Sequence, residues 1–239
     1  MKLYNQDCLE TLKTIPDNSI DLVVTDCPYL IVQGGCTNLN LGFRGFTDNY
    51  NNIKKGKIFK HNDIKFSEWL PELYRVVKPQ THIYIYISAR NIKELQQEAE
   101  KVGFTFQQII IWKKNNTTPN RYYLNSYEMI LMLRKGKAKS IKNMGTKNIL
   151  EINNILGGKK THPTEKPVEL NKILIENSSN EGQVVLDPFM GTGSTGVAAR
   201  ELKRDFIGIE IDEKYFNIAK ERLSTEQLKI KEVIWRYQR

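Results

Sequence analysis

The sequence predicts an α/β fold with helices on both faces of a mainly parallel sheet of about seven strands. Short apolar runs rich in β-branched residues alternate along the chain with longer amphipathic stretches, which is the pattern of parallel strands joined by crossover helices. Apolar residues make up 40% of the 239 residues, enough for a buried layer on either side of such a sheet. Neither an internal repeat nor a low-complexity linker divides the sequence, so we expect a single domain over residues 1–239.

The strands are predicted from apolar runs that turn residues bound. The first is a β-branched run at 19–25, directly before Asp26, and five more have the same character. They are 82–87, 108–112, 128–133, 184–187 and 206–210. The tail at 228–236 supplies the seventh strand of the prediction.

The helices are predicted from amphipathic stretches that carry start and stop signals. Ser67 suits an N-cap, Gly103 ends the second helix, and Pro167 stands in the first turn of the third. The five helices cover residues 67–77, 91–102, 167–176, 194–203 and 215–223.

The charge of the chain favours a polyanionic partner. Lys and Arg number 36 against 27 Asp and Glu, a net charge of +9, and the excess lies in segments 31–65, 113–125 and 134–160. All three have the composition of loops. The first two also hold aromatic side chains, a combination that suits phosphate contacts and base stacking. Solvated surface loops without a partner are the alternative.

The sequence excludes several classes of protein. No apolar run approaches the roughly 18 residues of a membrane span, and the N-terminus turns polar too early for a secretory signal. Three cysteines, Cys8, Cys27 and Cys36, are odd in number and lack the spacing of a zinc site. We therefore expect a cytoplasmic protein without a structural metal.

A glycine-rich segment predicts a site for a nucleoside cofactor. Residues 191–196 fit the pattern G-x-G-x-x-G between a predicted strand and a predicted helix, and Glu210 ends the next strand, 23 positions after Asp187. Glycines let a ligand approach the backbone closely, and the start of the helix offers unpaired N–H groups. A carboxylate at Glu210 can accept hydrogen bonds from ribose hydroxyls.

Two features of this segment favour S-adenosylmethionine over a dinucleotide. Residues 188–190 separate the strand from the first glycine and lengthen the pocket. Asp187 adds an anion that repels phosphate but attracts the α-ammonium group of S-adenosylmethionine. An NAD-dependent oxidoreductase and a purely structural glycine turn are the alternatives.

A second motif, Asp26-Cys27-Pro28-Tyr29, follows the first predicted strand, and ligands bind at the carboxyl ends of strands in such folds. The lone pair of a nucleobase amine is delocalised into the ring. Asp26 and the carbonyl of Cys27 can accept its two N–H groups and aim that lone pair at a methyl donor, while Tyr29 stacks on the base. An anionic acceptor also stabilises the positive charge that develops on nitrogen. A strand-ending turn with a capping Asp is the alternative.

The two motifs together resemble motifs IV and I of the amino-methylating DNA methyltransferases, which act on adenine N6 or cytosine N4. The catalytic motif precedes the cofactor motif, and this order (IV–VIII, then X and I–III) resembles the β group of the family. The sequence HPTEKP at 162–167 is similar to motif X, and DCLE at 7–10 resembles motif III. The likeness covers nearly the whole chain and implies the Rossmann-like sheet of S-adenosylmethionine-dependent methyltransferases.

The resemblance implies a role for each matching residue. Asp7 accepts from the adenine amine of the cofactor with Cys8 beside it, Thr164 and Lys166 hold its carboxylate, and Glu210 binds its ribose hydroxyls. The set implied for the cofactor is Asp7, Cys8, Asp26, Thr164, Lys166, Asp187, Pro188, Phe189, Gly191, Gly193, Ser194, Thr195 and Glu210. The set implied for catalysis is Asp26, Cys27, Pro28 and Tyr29.

The sequence departs from the family at Cys27, where a proline is usual. The contact expected at this position comes from the backbone carbonyl, so the chemistry survives the change with some loss of rigidity. We do not expect the thiol to act as a nucleophile, because methylation of an amine requires no covalent adduct.

The resemblance implies that the substrate is double-stranded DNA with its target base flipped out of the stack. It favours adenine N6, because cytosine-N4 members usually have Ser at the position of Asp26. A cytosine-N4 enzyme, an RNA substrate and a non-catalytic nucleic-acid-binding module stay open. A homodimer and a cognate restriction endonuclease are the further partners suggested.

DNA-facing loops are expected at 30–66 and 113–127, with a short target-recognition insertion at about 134–160. The residues expected to contact DNA are Arg44, Lys113, Lys114, Arg121, Lys135, Lys137 and Lys139.

Overall fold

The computed structural model describes residues 1–28, 64–118, 122–155 and 165–224. Several predicted features lie outside these residues, namely Tyr29, Arg44, Arg121, Thr164 and the tail strand at 228–236. No helix in the described part of the chain is long and apolar enough to cross a membrane.

Eight strands of the described residues form one sheet. In chain order they are β1 (Lys2–Tyr4), β2 (Ile20–Asp26), β3 (Val77–Ile87), β4 (Phe104–Thr118), β5 (Asn125–Lys135), β6 (Ile149–Glu151), β7 (Val184–Asp187) and β8 (Asp205–Ile209). Their order across the sheet is β1-β8-β7-β2-β3-β5-β4-β6. Only β5 runs antiparallel to its neighbours among these strands. The predicted α/β class and mainly parallel sheet are confirmed, with eight strands in place of about seven.

All six strands predicted within the described residues are present, and β1 and β6 are additional. Each of these two strands has three residues, which is too short for an alternating pattern to stand out in the sequence. They form the two edges of the sheet.

Six helices lie in the described residues. They are α1 (Cys8–Thr14), α2 (Phe66–Val76), α3 (Ile92–Lys101), α4 (Val168–Ser178), α5 (Ser194–Glu201) and α6 (Glu213–Leu223). The five predicted helices are confirmed, with ends that differ by at most two residues. The predicted N-cap Ser67 is wrong, because the helix begins one residue earlier at Phe66 and Lys65 is its N-cap. The additional helix is α1, whose N-cap Asp7 accepts a hydrogen bond from the N–H of Leu9 at 2.7 Å.

Two apolar layers pack on opposite faces of the sheet, because successive side chains of a strand point to opposite faces. Along β3, Ile83 and Ile85 join the layer that α1, α2 and α3 cover, where Trp69 is fully buried. Tyr84 and Tyr86 join the layer that α4, α5 and α6 cover. Each fully buried large side chain contributes about 1.5–3 kcal/mol, so both layers stabilise the sheet.

The parallel strands end along one side of the sheet, which we call the carboxyl edge. It includes the ends of five strands, at Tyr4, Asp26, Ile87, Asp187 and Ile209. Because β5 is reversed, its first residues lie at the carboxyl edge and its last residues lie at the opposite edge. The fold therefore brings segments from both ends of the sequence to one place.

Candidate active site

Asp26 and Asp187 end two neighbouring strands, β2 and β7, which pair in parallel register with Val23 opposite Leu186. The hydroxyl of Thr25 donates to Asp187 Oδ1 over 2.7 Å. The motif that the sequence assigns to catalysis and the motif that it assigns to the cofactor therefore meet at the carboxyl edge.

The carboxyl group of Asp187 is buried, with only 3% of the residue exposed. It accepts hydrogen bonds from Thr25, from the N–H of Phe189 at 3.1 Å and from the side chain of Thr195. Burial raises the pKa of Asp187 to about 7, although these hydrogen bonds favour the ionised form. The charge of Asp26 raises this pKa further. A cation placed beside Asp187 would favour its ionised form.

The glycine turn between β7 and α5 is open on one side. Gly191 and Gly193 have φ angles of +51° and +79°, in the region that side chains other than glycine rarely adopt. No heavy atom of the described residues lies within 4 Å of the position that a Cβ on Gly191 would occupy, whereas a Cβ on Gly193 would stand 3.0 Å from Cβ of Ala219. Gly193 thus allows α6 to approach, and Gly191 leaves room above the turn.

The carboxylate of Glu210 is fixed by the backbone beside this turn. Its Oε2 accepts from the N–H of Gly191 at 2.9 Å, and its Oε1 accepts from the N–H of Asp212 at 2.8 Å. Burial raises the pKa of Glu210, although these two N–H groups oppose that shift. Each oxygen retains a lone pair, so the carboxylate can still accept hydrogen bonds from a ligand.

The N-terminal segment joins the site through β1, which lies next to β8. The N–H of Glu210 donates to the carbonyl of Tyr4 at 3.0 Å, and Asn5 Nδ2 donates to the carbonyl of Glu210 at 2.9 Å. Asp7 follows two residues later as the N-cap of α1. Cys8 beside it is buried, and burial raises the pKa of its thiol to about 12.

Lys166 lies against Asp26. Its Nζ is 2.7 Å from Oδ2 of Asp26 and 3.1 Å from Oε2 of Glu128, and it stands 5.2 Å from the ring centre of Tyr86. Burial raises the pKa of Asp26, and the positive charge of Lys166 opposes that shift. The sequence assigns Lys166 to the carboxylate of the cofactor, and the structure pairs it with two carboxylates of the protein.

Glu128 is a charged member of the site that the sequence reasoning missed. It also pairs with Lys114, which lies over the ring of Trp112. Burial alone would raise the pKa of Glu128, but the two lysines outweigh it and lower this pKa to about 2. One signal was available, because Glu128 is an acid at the start of an otherwise apolar strand (EMILML at 128–133).

Cys27 is buried at the end of β2, with its Sγ 3.9 Å from the carbonyl oxygen of Tyr86. Burial raises the pKa of the Cys27 thiol well above its ordinary value. The thiol therefore stays protonated at neutral pH and has little nucleophilic character. Pro28 beside it is half-buried.

A second pair that the sequence reasoning missed ties residue 165 to the glycine turn. Glu165 Oε1 lies 2.8 Å from Nη1 of Arg222 on α6, and the same guanidinium donates to the carbonyl of Thr192 at 2.9 Å. No spacing in the sequence links these positions.

The lysines assigned to DNA in the sequence separate into two groups. Lys113 lies toward the carboxyl end of β4, is 55% exposed in its side chain and pairs with Glu151 at 3.1 Å. Lys114 is only 13% exposed in its side chain, and its ammonium is committed to Glu128. We therefore leave Lys114 out of the candidate DNA surface.

The other three lysines lie at the opposite edge of the sheet. Lys135 ends β5, and its Nζ donates to the carbonyls of Tyr74 and Val77 and to Oδ1 of Asn18. Lys137 and Lys139 follow it and are exposed. That these three residues contact DNA stays a prediction, and β5 carries them to the edge of the sheet opposite Asp26.

Comparisons with known proteins agree with this arrangement. Residues 20–221 match the family model described as DNA methylase. The chain is 34% identical to the type II methyltransferase M.HpaI of Haemophilus parainfluenzae, over 94% of this chain and 74% of that protein. It is 31% identical to the type II methyltransferase M2.DpnII of Streptococcus pneumoniae, over 95% and 90% of the two chains. The crystal structure of the M1.HpyAVI–SAM complex superposes with a TM-score of 0.70 at 30% identity, covering 93% of this chain and 98% of that chain.

Proposed function

The chain belongs to the N6-adenine and N4-cytosine DNA methyltransferase family, and we propose that it transfers a methyl group from S-adenosylmethionine to N6 of adenine in double-stranded DNA. The observation that carries this proposal is the meeting of Asp26 with the Asp187–Gly191 turn at the carboxyl edge. A methyl donor held by the turn and an amine held by Asp26 would lie within one cavity. Adenine is favoured over cytosine because Asp26 stands where cytosine-N4 members of the family usually carry Ser.

The residues present fit S-adenosylmethionine. Asp187 is a buried carboxyl group suited to an α-ammonium group, Glu210 offers carboxylate lone pairs to ribose hydroxyls, and Gly191 leaves the turn open. Asp7 lies at the β1 side of this set and is the proposed partner of the adenine amine. When bound, S-adenosylmethionine supplies an electrophilic methyl group on its sulfonium.

We assign the activation of the amine to Asp26. Oδ2 of Asp26 is held by Lys166, and Oδ1 accepts no hydrogen bond from the residues that the structure describes. An amine N–H donated to Oδ1, with the second N–H donated to the carbonyl of Cys27, would draw the nitrogen toward tetrahedral geometry. The carboxylate also stabilises the positive charge that grows on nitrogen during transfer, a type of interaction worth about 3–4 kcal/mol in other enzymes.

The target base must leave the duplex to reach Asp26, at a cost of a few kcal/mol. We propose that the loops at 30–66 and 113–127 offset this cost with phosphate and base contacts, and that the part of the insertion at about 134–160 that follows Lys139 contributes to target recognition. The same proposal includes a single catalytic domain over residues 1–239. It also includes two protein partners, a second copy of the chain and a cognate restriction endonuclease.

The test is to incubate the protein with S-adenosylmethionine labelled in its methyl group and with genomic DNA, and then to identify the modified nucleoside by mass spectrometry. We expect labelled N6-methyladenine. Labelled N4-methylcytosine would show that the target base is cytosine, and label in RNA alone would show that the substrate is RNA.

Asp26→Ala should lose transfer by about 100-fold or more while keeping its cofactor affinity, and an active Asp26→Ala protein would contradict the role of Asp26.

A further inference from the structure

Three charged side chains from distant parts of the sequence meet at the end of β2. Lys166 stands between two carboxylates, 2.7 Å from Oδ2 of Asp26 and 3.1 Å from Oε2 of Glu128. The side chain of Lys166 is only 7% exposed, and those of Asp26 and Glu128 are 26% and 33% exposed. The other oxygen of Glu128 pairs with Lys114, so Glu128 is itself held in place.

The two carboxylates have different tasks in this arrangement. Asp26 lies at the carboxyl edge, and its Oδ1 has no hydrogen-bond donor among the described side chains and backbone, whereas Glu128 has both oxygens paired with lysines. A lysine side chain is long and flexible, and one ion pair defines its position poorly. A second carboxylate on the far side of the ammonium fixes Lys166 and thereby the orientation of the Asp26 carboxylate.

We propose that Glu128 is a positioning residue for methyl transfer, which holds Lys166 on Oδ2 of Asp26 and so keeps Oδ1 available to the amine of the target base. This inference rests on the proposed function. Glu128 acts through Lys166 and does not contact the substrate, so its effect depends on the presence of Lys166.

If Glu128 acted on Asp26 only through its negative charge, removing that charge would lower the pKa of Asp26. We expect the opposite, a rise in this pKa. Among the residues that the structure describes, the titratable groups around Asp26 are Lys166, Glu128, Lys114, Asp187, Tyr86 and Cys27. The negative charge of Glu128 raises the pKa of Asp26, and the ammonium of Lys166 lowers it. Neutralising Glu128 therefore lowers the pKa of Asp26 if Lys166 stays in place. It raises this pKa if Lys166 moves away, because Lys166 has the larger effect.

The experiment compares the full-length protein with Glu128→Gln, Lys166→Met and the double variant. We expect Glu128→Gln to lower kcat by about 10- to 100-fold, with cofactor Kd changed by less than about twofold. On the Lys166→Met background the same substitution should change kcat by less than about twofold, because partners that act as a unit are not additive. The pKa of Asp26 is followed by carbon-13 NMR of its carboxyl group in the protein without cofactor, and it should rise in Glu128→Gln.

Glu201→Gln is the matched control, since Glu201 is also 33% exposed in its side chain and shares a lysine, Lys172, with a second carboxylate, Glu169. It should leave kcat and the pKa of Asp26 unchanged. An unchanged kcat in Glu128→Gln, an equal loss on both backgrounds, or a fall in the pKa of Asp26 would each overturn the proposal. If Glu128→Gln does not fold, Glu128→Asp withdraws the carboxylate by one methylene and is measured in its place.

The NMR measurement also separates this proposal from the proposed function. If the wild-type protein methylates no DNA, the proposed function fails. The pKa of Asp26 still reports whether Glu128 holds Lys166 in place, because that measurement requires neither cofactor nor substrate.

Discussion

At the scale of single residues, the buried carboxyl group of Asp187 couples cofactor binding to pH. Its pKa of about 7 is raised above its ordinary value of 3.8 by burial. The contribution of Asp187 to stability is therefore fully present below pH 3.8 and is lost as the pH rises through about 7. A cation that binds beside it favours the ionised form and recovers part of this loss.

We therefore expect the affinity for S-adenosylmethionine to rise with pH. The association constant should increase by up to about tenfold per pH unit below pH 7 and level off above it, because only the ionised carboxylate attracts the α-ammonium group. Isothermal titration calorimetry between pH 5.5 and 8.5, with Asp187→Asn as the control that lacks the titrating group, measures this. The same pH dependence in Asp187→Asn would contradict the role of Asp187.

Gly191 and Gly182 provide a matched pair for testing the open side of the glycine turn. Both have positive φ angles, +51° and +76°, and within the described part of the chain no heavy atom lies within 4 Å of a Cβ at either position. Replacement by Ala should cost each protein about 1–2 kcal/mol of unfolding free energy from backbone strain alone. Only the methyl group on Gly191 would point into the proposed cofactor site, so Gly191→Ala should also weaken cofactor binding by about tenfold or more.

Chemical denaturation and cofactor titration of the two variants separate these effects. Equal cofactor affinities in Gly191→Ala and Gly182→Ala would show that the space above Gly191 is not used by the cofactor.

At this scale the sequence predicted the residues whose position follows from a strand end. Asp26 and Asp187 end their strands, and Glu210 directly follows the end of β8. Glu128 was missed because its importance depends on Lys166, which lies 38 positions further along the sequence. An ion pair between distant residues leaves no periodic signal in a single sequence.

At the scale of elements, the direction of β5 decides which basic residues lie near the site. The sequence predicted a strand at 128–133, but a single apolar run does not say which way the strand runs. The antiparallel pairing of β5 with β3 places Met129 opposite Ile87 and Arg134 opposite His82. Lys135 consequently lies about 20 Å from Met129 along the strand, at about 3.4 Å per residue.

The same pairing makes the β4–β5 hairpin project beyond the carboxyl edge. Near its tip, Tyr122 and Tyr123 are 82% and 90% exposed. Tyrosine rings stack on nucleobases of any sequence, each for about 1–3 kcal/mol. The double variant Tyr122→Ala/Tyr123→Ala should therefore weaken DNA binding by about tenfold or more and leave cofactor affinity unchanged.

Fluorescence anisotropy with a labelled duplex measures this loss. Tyr122→Phe/Tyr123→Phe keeps both aromatic rings and should bind DNA normally, because stacking depends on the ring and not on the hydroxyl. An undiminished affinity of the tyrosine variant would exclude the hairpin from the DNA surface.

At the scale of the whole molecule, the order of the motifs explains how the site is assembled. Only 29 residues follow Glu210, too few to complete a doubly wound sheet around the cofactor motif. Strands from the first half of the sequence must therefore complete it, and β7 and β8 indeed lie between β2 and β1. The fold class and the meeting of the two motifs could be predicted for this reason, whereas the short edge strands could not.

The distribution of charge over the molecule leads to a prediction about salt. The chain carries +9 overall. The exposed lysines discussed above, Lys113 on one side and Lys137 and Lys139 on the other, lie at opposite edges of the sheet, and a duplex that presents a base to Asp26 can meet only one edge closely. Binding to DNA should weaken with salt, with a slope of about −0.9 in log K against log salt for each phosphate neutralised. Lys113 is exposed toward the carboxyl edge, and its surface pair with Glu151 is weak enough to yield to a phosphate. Lys113→Ala should therefore reduce the magnitude of this slope by about 0.9, the contribution of one phosphate.

Lys137→Ala/Lys139→Ala removes two exposed charges from the opposite edge and should leave the slope unchanged. The reverse result would mean that the duplex lies over the opposite edge, where its bases could not reach Asp26.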